Sequence, residues 1–211
     1  MMEKYINLSL NEFSREVAAK KSMPGGGSVA AYSATLASSL ASMVANFTIG
    51  KKKYLEYEDD IKLILEQAYD LEKECLELVD LDIEEYLPLA EAYKMTERSE
   101  EEKKIKEIEI QRCLKNAAKV PLNTLKTADK IAKLHKELLV KGSRMLISDV
   151  GVGVQMLKAS VLSAKLNILI NIKYIDDVEF VQNYKKEMDN LVERITDICD
   201  YVYENVVDIL L

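Results

Sequence analysis

Residues 22–50 read SMPGGGSVAAYSATLASSLASMVANFTIG, a run without one Asp, Glu, Lys, Arg or His in a chain that is 31% charged. Beyond the glycines it carries two interleaved stripes. Ala30, Ala34, Ala37, Ala41 and Ala45 form one, and Tyr32, Leu36, Leu40, Met43 and Phe47 the other. The spacing of threes and fours predicts a helix, and a helix with no charged face is enclosed on most sides. Its alanine lane lets another backbone approach closely. About 20 uncharged residues also suffice to span a bilayer, but this run is too polar for that. Between Ser28 and Thr48 it holds Ser28, Ser33, Ser38, Ser39, Ser42, two threonines and Asn46, against five of Leu, Ile, Val or Phe. A buried helix of a protein outside the membrane is the expectation.

The surrounding chain supports an all-α fold. Seven Gly and three Pro in 211 residues are too few turn formers for a sandwich or barrel, and 48% hydrophobic residues exclude disorder. No linker or repeat divides the chain, so residues 1–211 are expected to form a single domain. Cys75, Cys113 and Cys199 are odd in number and far apart, which fits reduced thiols in the cytoplasm. The start, MMEKYINLSLNEF, lacks the basic and apolar regions of a signal peptide. A net charge of −7 argues against a nucleic-acid partner.

Working outward, Ser9 and Glu12 have the spacing of a capping box that starts a helix reaching about Lys20. Gly50 with Lys51, Lys52 and Lys53 reads as the end of the charge-free helix. A long helix follows along Ile61, Leu65, Ala68, Leu71, Cys75, Leu78, Asp82 and Tyr86, kinked by Pro88 and ending near Met95. Ser99 and Glu102 open a charged helix to about Lys119, where Pro121 bends or restarts it, and the next segment stops at Gly142. A second quiet helix spans about Asp149 to Lys173. The last helix, announced by Asp176 and Glu179, carries the seam Val181, Tyr184, Met188, Leu191, Ile195, Ile198 and Val202. The expected architecture is an up-and-down helical bundle with long kinked helices and two buried small-residue helices.

Several constellations bear on chemistry. Gly25, Gly26 and Gly27 match a dinucleotide fingerprint only formally, because a helix precedes them and no acidic residue appears until Glu56. Glycines at a helix start either form a flexible turn or present free N–H groups to a ligand. Asp82 lies in an apolar stripe, where a carboxylate is costly unless paired or used, or else it points out at the stripe's edge. Ser148 and Asp149 suit a helix N-cap, yet the lane below Asp149 continues through Gly153, Met156, Ser160, Ser163, Asn167 and Asn171. Lys51, Lys52 and Lys53 are either a solvated helix end or an anchor for a carboxylated ligand. His135, the lone histidine, sits among Leu134, Leu138 and Leu139 and reads as structural. One histidine and scattered cysteines make no metal cluster.

From Met23 through Ala31, and again over Met43–Thr48 and Gly50–Tyr54, the chain resembles the cyclodeaminase/cyclohydrolase family of folate one-carbon metabolism. Asp82 with Tyr86, Ala92–Lys94, Val120–Pro121, Ser148–Val152 and Asn167–Asn171 extend the match in order over essentially the whole chain. The resemblance implies an all-helical homodimer that binds a reduced folate, polyglutamylated or not, with no other cofactor. It also implies chemistry at the carbon bridging N5 and N10. Asp82 and Asp149 are then the candidate catalytic residues. Gly25, Gly26, Gly27, Ser28, Asn46, Asn167 and Asn171 would contact the substrate, and Lys51, Lys52 and Lys53 would hold its glutamate tail. Methenyltetrahydrofolate cyclohydrolase is the expectation, since no transferase domain accompanies this chain. Formimidoyltetrahydrofolate cyclodeaminase is the alternative, and a non-enzymatic helical dimerisation module the rival of another class.

Overall fold

The computed structural model describes residues 4–211, which form six α-helices and no strand among the described residues. They are α1 Leu10–Ala18, α2 Gly26–Asn46, α3 Glu58–Lys94, α4 Glu100–Lys141, α5 Ile147–Ile172 and α6 Val178–Leu210. Ser9 and Glu12 make the reciprocal capping box at α1. At α4 the Ser99 hydroxyl accepts from Glu102 N–H, while the Glu102 carboxylate accepts from Arg98 N–H.

Consecutive helices from α2 to α6 alternate in direction. Ser28 meets Val79 and Ser38 meets Ala68, so α3 descends along α2. Ser160 donates to the Ala30 carbonyl at 2.7 Å and Ser143 N–H to Thr48 at 2.8 Å, so α5 also runs against α2. Arg194 and Lys115 of the α4–α6 contact bond Asp129 and Asp177, which sets α6 parallel to α4. One continuous core links α2 to α6.

The charge-free helix α2 is central. Its alanine lane is buried against the bundle, with Ala34, Ala37, Ala41 and Ala45 fully enclosed. Most of its serines find acceptors: Ser38 donates to Ala68 O, and Ser33 and Ser39 donate back along their own helix, while the buried Ser42 hydroxyl has no partner. The second stripe is only partly covered: Tyr32, Leu40 and Met43 are half-buried. Leu36 and Phe47 are exposed, as is Val29, and so are Val152, Leu162, Leu166 and Ile170 on the adjacent α5. Lys158 and Lys165, the lysines of α5, turn away to Asp200 and Asp189 of α6. Against the expectation that the charge-free run is too polar, Gly26–Asn46 and also Arg144–Ile172 are long and apolar enough to cross a bilayer by length and composition alone, but most of α2 is buried inside the bundle, as in a core helix.

Three boundaries differ from the sequence reading. Helix α4 continues through Pro121 as one 42-residue element. Buried packing there outweighs the lost N–H, and the Ala117 carbonyl is left without its helical donor. Helix α2 ends at Asn46, and Gly50 closes the following turn at φ 75° rather than capping the helix directly. Ser148 and Asp149 lie within the first turn of α5, whose N-cap is Leu146.

His135 is a packing residue, as its leucine neighbours suggested. The ring is fully buried, and a Cβ on Gly153 would stand 2.2 Å from its Cε1. Its Nε2 donates to the Ala37 carbonyl at 2.9 Å, since a carbonyl only accepts. Burial pushes its pKa down from 6.5 to about 4. The unfolded chain therefore binds a proton below pH 6.5 that the folded one refuses, and stability falls as pH drops through that window. His135 should make the protein roughly 2–3 kcal/mol less stable at pH 4.5 than at pH 7.5. His135→Gln, which keeps a donor for Ala37, should flatten that part of the dependence in urea unfolding. An unchanged slope would refute the assignment.

Candidate active site

At one end of the bundle, four helices enclose a cavity of about 300 Å³. It lies at the lower end of small-ligand sites in size. The start of α2 supplies Gly25, Gly26 and Gly27, the second half of α3 supplies Asp82, Tyr86, Leu89 and Tyr93, α4 supplies Leu114 and Ala117, and the end of α5 supplies Asn167, Ile170 and Asn171. Tyr174, just beyond α5, completes the mouth. Asp82 is the one charged residue among these lining residues.

The local chemistry begins with what α2 lacks. Its N-cap is Gly25, which has no side chain to offer. The first intrahelical bond runs from Val29 N–H to Gly25 O, so the N–H groups of Gly26, Gly27 and Ser28 have no helical acceptor. Asp82 reaches across from α3 to fill the gap. Its Oδ2 lies 3.0 Å from Ser28 Oγ, and the Ser28 backbone also helps to hold the carboxyl's pKa down. This close approach requires Gly27, on which a Cβ would stand 2.1 Å from Asp82 Oδ1.

Burial lifts the Asp82 carboxyl above the usual range, and Ser28, through its hydroxyl and its backbone, holds it down in part. No charged neighbour contributes to the shift. A carboxyl raised in this way changes protonation nearer to neutral pH, as a general acid/base group must. On the facing wall, the Asn167 and Asn171 amide groups donate to the carbonyls of Ser163 and Asn167 at 2.9 Å. Their Oδ1 atoms are thereby left free to accept from a ligand. Burial raises Tyr93, with the Tyr174 and Tyr86 hydroxyls adding to the effect.

The residues singled out from sequence fall into two groups. Gly25, Gly26, Gly27, Asp82, Asn167 and Asn171 come together in the cavity. Ser28 is fully buried behind it and touches Asp82 rather than the open space. Asn46, Lys51, Lys52, Lys53 and Asp149 lie at the other end of the protomer. Nineteen residues of α2 separate Gly27 from Asn46, roughly 28 Å along the axis, and Asp149 is about as far from Asn167 along α5. There Asn46 donates to the Tyr69 hydroxyl, Lys51 donates to Ser143 Oγ at 3.0 Å, and Lys53 lies over the Tyr54 ring.

Tyr86, Tyr93 and Tyr174 were not among the expected site residues. Their signal was present: Asp82, Tyr86, Leu89 and Tyr93 share one helical face by spacing, and Tyr174 prolongs the face of Asn167 and Asn171 by one turn.

Fold and cavity together define an all-helical protein with a small-ligand cavity built around a single half-buried carboxyl. Among known proteins, the model of the formiminotransferase-cyclodeaminase family matches residues 9–190. A methenyltetrahydrofolate cyclohydrolase of Methylorubrum extorquens is 34% identical over 95% of this chain and 96% of its own. The formimidoyltransferase-cyclodeaminase of Mus musculus is 30% identical over 90% of this chain, a match that spans 35% of the mouse protein. The crystal structure of formiminotetrahydrofolate cyclodeaminase from Thermotoga maritima superposes with a TM-score of 0.88 at 32% identity, covering 97% of this chain and 98% of that one. The chain belongs to the formiminotransferase-cyclodeaminase family.

Proposed function

We propose that this protein is a folate one-carbon enzyme that acts at the N5/N10 bridging carbon, as a methenyltetrahydrofolate cyclohydrolase. The observation that carries the reading is Asp82: a single raised carboxyl in a cavity otherwise lined by glycine backbone, amides and tyrosines. The ionised carboxyl takes a proton from water as the oxygen adds to the methenyl carbon. It returns that proton to N5 as the C–N5 bond breaks, and the second proton of the water goes to solvent. The product is 10-formyltetrahydrofolate. Proton transfer of this kind contributes about 10²–10⁴-fold.

Ring closure of formimidoyltetrahydrofolate is the second reading. There N10 attacks the carbon of the protonated formimidoyl group, the proton lost from N10 passes to the amino nitrogen, and ammonia leaves as its C–N bond breaks to give the methenyl cation. Chain length does not separate the two, since the Thermotoga protein of matching extent bears the cyclodeaminase name. Both reactions pass through a tetrahedral bridging carbon, so one site serves either.

The two groups of candidate residues suggest how the site is completed. The exposed seam of α2 and α5 is free of charge, and we assign it to a second copy of the chain. A two-fold axis across the middle of α2 sets each α2 antiparallel to its copy. The partner subunit's Lys51, Lys52 and Lys53 then stand beside this protomer's cavity, where they meet the glutamate tail. The partner subunit's Asp149 arrives with them. Free, buried Cys75, Cys113 and Cys199 suit a reducing compartment, the cytoplasm.

The test is to follow methenyl absorbance and ammonia release with each folate offered separately to the pure protein. Asp82→Asn should lower turnover of the true substrate by about 10²–10⁴-fold. Neither folate being consumed by the wild type, or Asp82→Asn working at the wild-type rate, would end the proposal.

A further inference from the structure

Ser28 Oγ lies between two oxygens, 3.1 Å from the Val79 carbonyl and 3.0 Å from Asp82 Oδ2. A hydroxyl has one hydrogen, and a carbonyl can only accept. Both contacts are hydrogen bonds at once only when Asp82 is protonated: Asp82 then donates to Ser28 Oγ, which donates to Val79 O. When Asp82 is ionised, the hydroxyl turns and donates to the carboxylate. The Val79 carbonyl, inside α3, retains the helical N–H of Ile83. We infer that Ser28 is a positioning residue whose hydroxyl reverses direction with the protonation of Asp82, so that both forms of the carboxyl stay hydrogen-bonded in one place. The inference rests on the reading of Asp82 as the acid/base group.

The surroundings leave this pair isolated. Helix α2 brings no titratable group to Asp82, α5 brings the amides Asn167 and Asn171, and α4 brings Leu114 and Ala117. The titratable neighbours are Tyr86 on α3 itself, with Tyr93 and Tyr174 at the mouth. Ser28 is fully buried, so no solvent molecule takes over its part.

The bond to the ionised form is the stronger of the two, because it is charge-assisted. Ser28→Ala should therefore move the Asp82 titration upward by about one pH unit, and lower turnover by about tenfold or more. Two measurements read this. One is the carboxyl carbon resonance of Asp82 in 13C-labelled protein followed against pH. The other is the acid limb of kcat/KM, which should move with it. Ser28→Cys, nearly isosteric with a weak donor, should fall between wild type and Ala. In an Asp82→Asn background Ser28→Ala should add less than about twofold, because the two residues act as a unit. A titration unmoved in folded Ser28→Ala and Ser28→Cys would overturn the role of Ser28 and leave the assignment of Asp82 intact. An Asp82→Asn enzyme with full activity would instead overturn the site reading, and this inference with it.

Discussion

Gly27→Ala is expected to reduce turnover by at least about 100-fold while leaving the bundle folded. The added Cβ would stand 2.1, 2.5 and 2.7 Å from Asp82 Oδ1, Cγ and Oδ2, so the carboxyl must move by an ångström or more. Any such movement breaks its bond to Ser28 Oγ, and with it the geometry that proton transfer depends on. The fold has little to lose. The clash falls on the end of one side chain, not on backbone, and Ala suits a helix better than Gly does by up to about 1 kcal/mol. Thermal unfolding should stay within a few degrees of wild type. The neighbouring glycines supply the control. A Cβ on Gly26 comes no closer than 3.4 Å to the Asn167 amide, and one on Gly25 meets Met23 Sδ at 3.6 Å. The order of damage should be Gly27 first by a wide margin, then Gly26, then Gly25. Near-normal turnover by Gly27→Ala would show that Asp82 is not the reacting carboxyl, and a collapse in stability would show that the glycine serves the fold.

Those three glycines mark what sequence can and cannot convey. Periodicity reports the angle of a side chain about a helix axis, which is why the alanine lane of α2 and the seam of α6 through Met188, Ile195 and Val202 were legible and are buried. It does not tell an inner stripe from an outer one when both are apolar. Leu36 and Phe47 looked as interior as Ala37 and are exposed. Nor does it report depth along the bundle. Asp82 and Asp149 each occupy a suggestive lane, yet the antiparallel order of helices decides which end each occupies, and within one protomer it sets them apart. Pro121 failed as a boundary for a related reason: a local penalty was set against the packing of a 42-residue helix, and packing prevailed.

The separation of the two groups makes a mixing experiment decisive. Take Asp82→Asn as one variant and the charge reversal Lys51→Glu, Lys52→Glu, Lys53→Glu as the other. Each alone should be poorly active on a polyglutamylated folate at low concentration, the first through kcat and the second through a KM raised by about tenfold or more. If both groups serve the same site within one protomer, every protomer in a mixture carries a defect, and mixing restores nothing. If the site is shared across a two-fold axis, a mixed dimer gathers both defects in one site and leaves the other whole. Random assortment makes about half the dimers mixed, so about a quarter of all sites should recover. Leu36→Asp with Leu166→Asp adds the converse. Carboxylates on the exposed seam should yield a soluble monomer with an intact Asp82 cavity and turnover reduced about tenfold or more, because the lysines no longer reach it. Recovery on mixing, together with loss on dissociation, has no explanation in a site confined to one chain. Failure of recovery in dimers shown by mass to be mixed would return Lys51, Lys52 and Lys53 to the role of a solvated helix end.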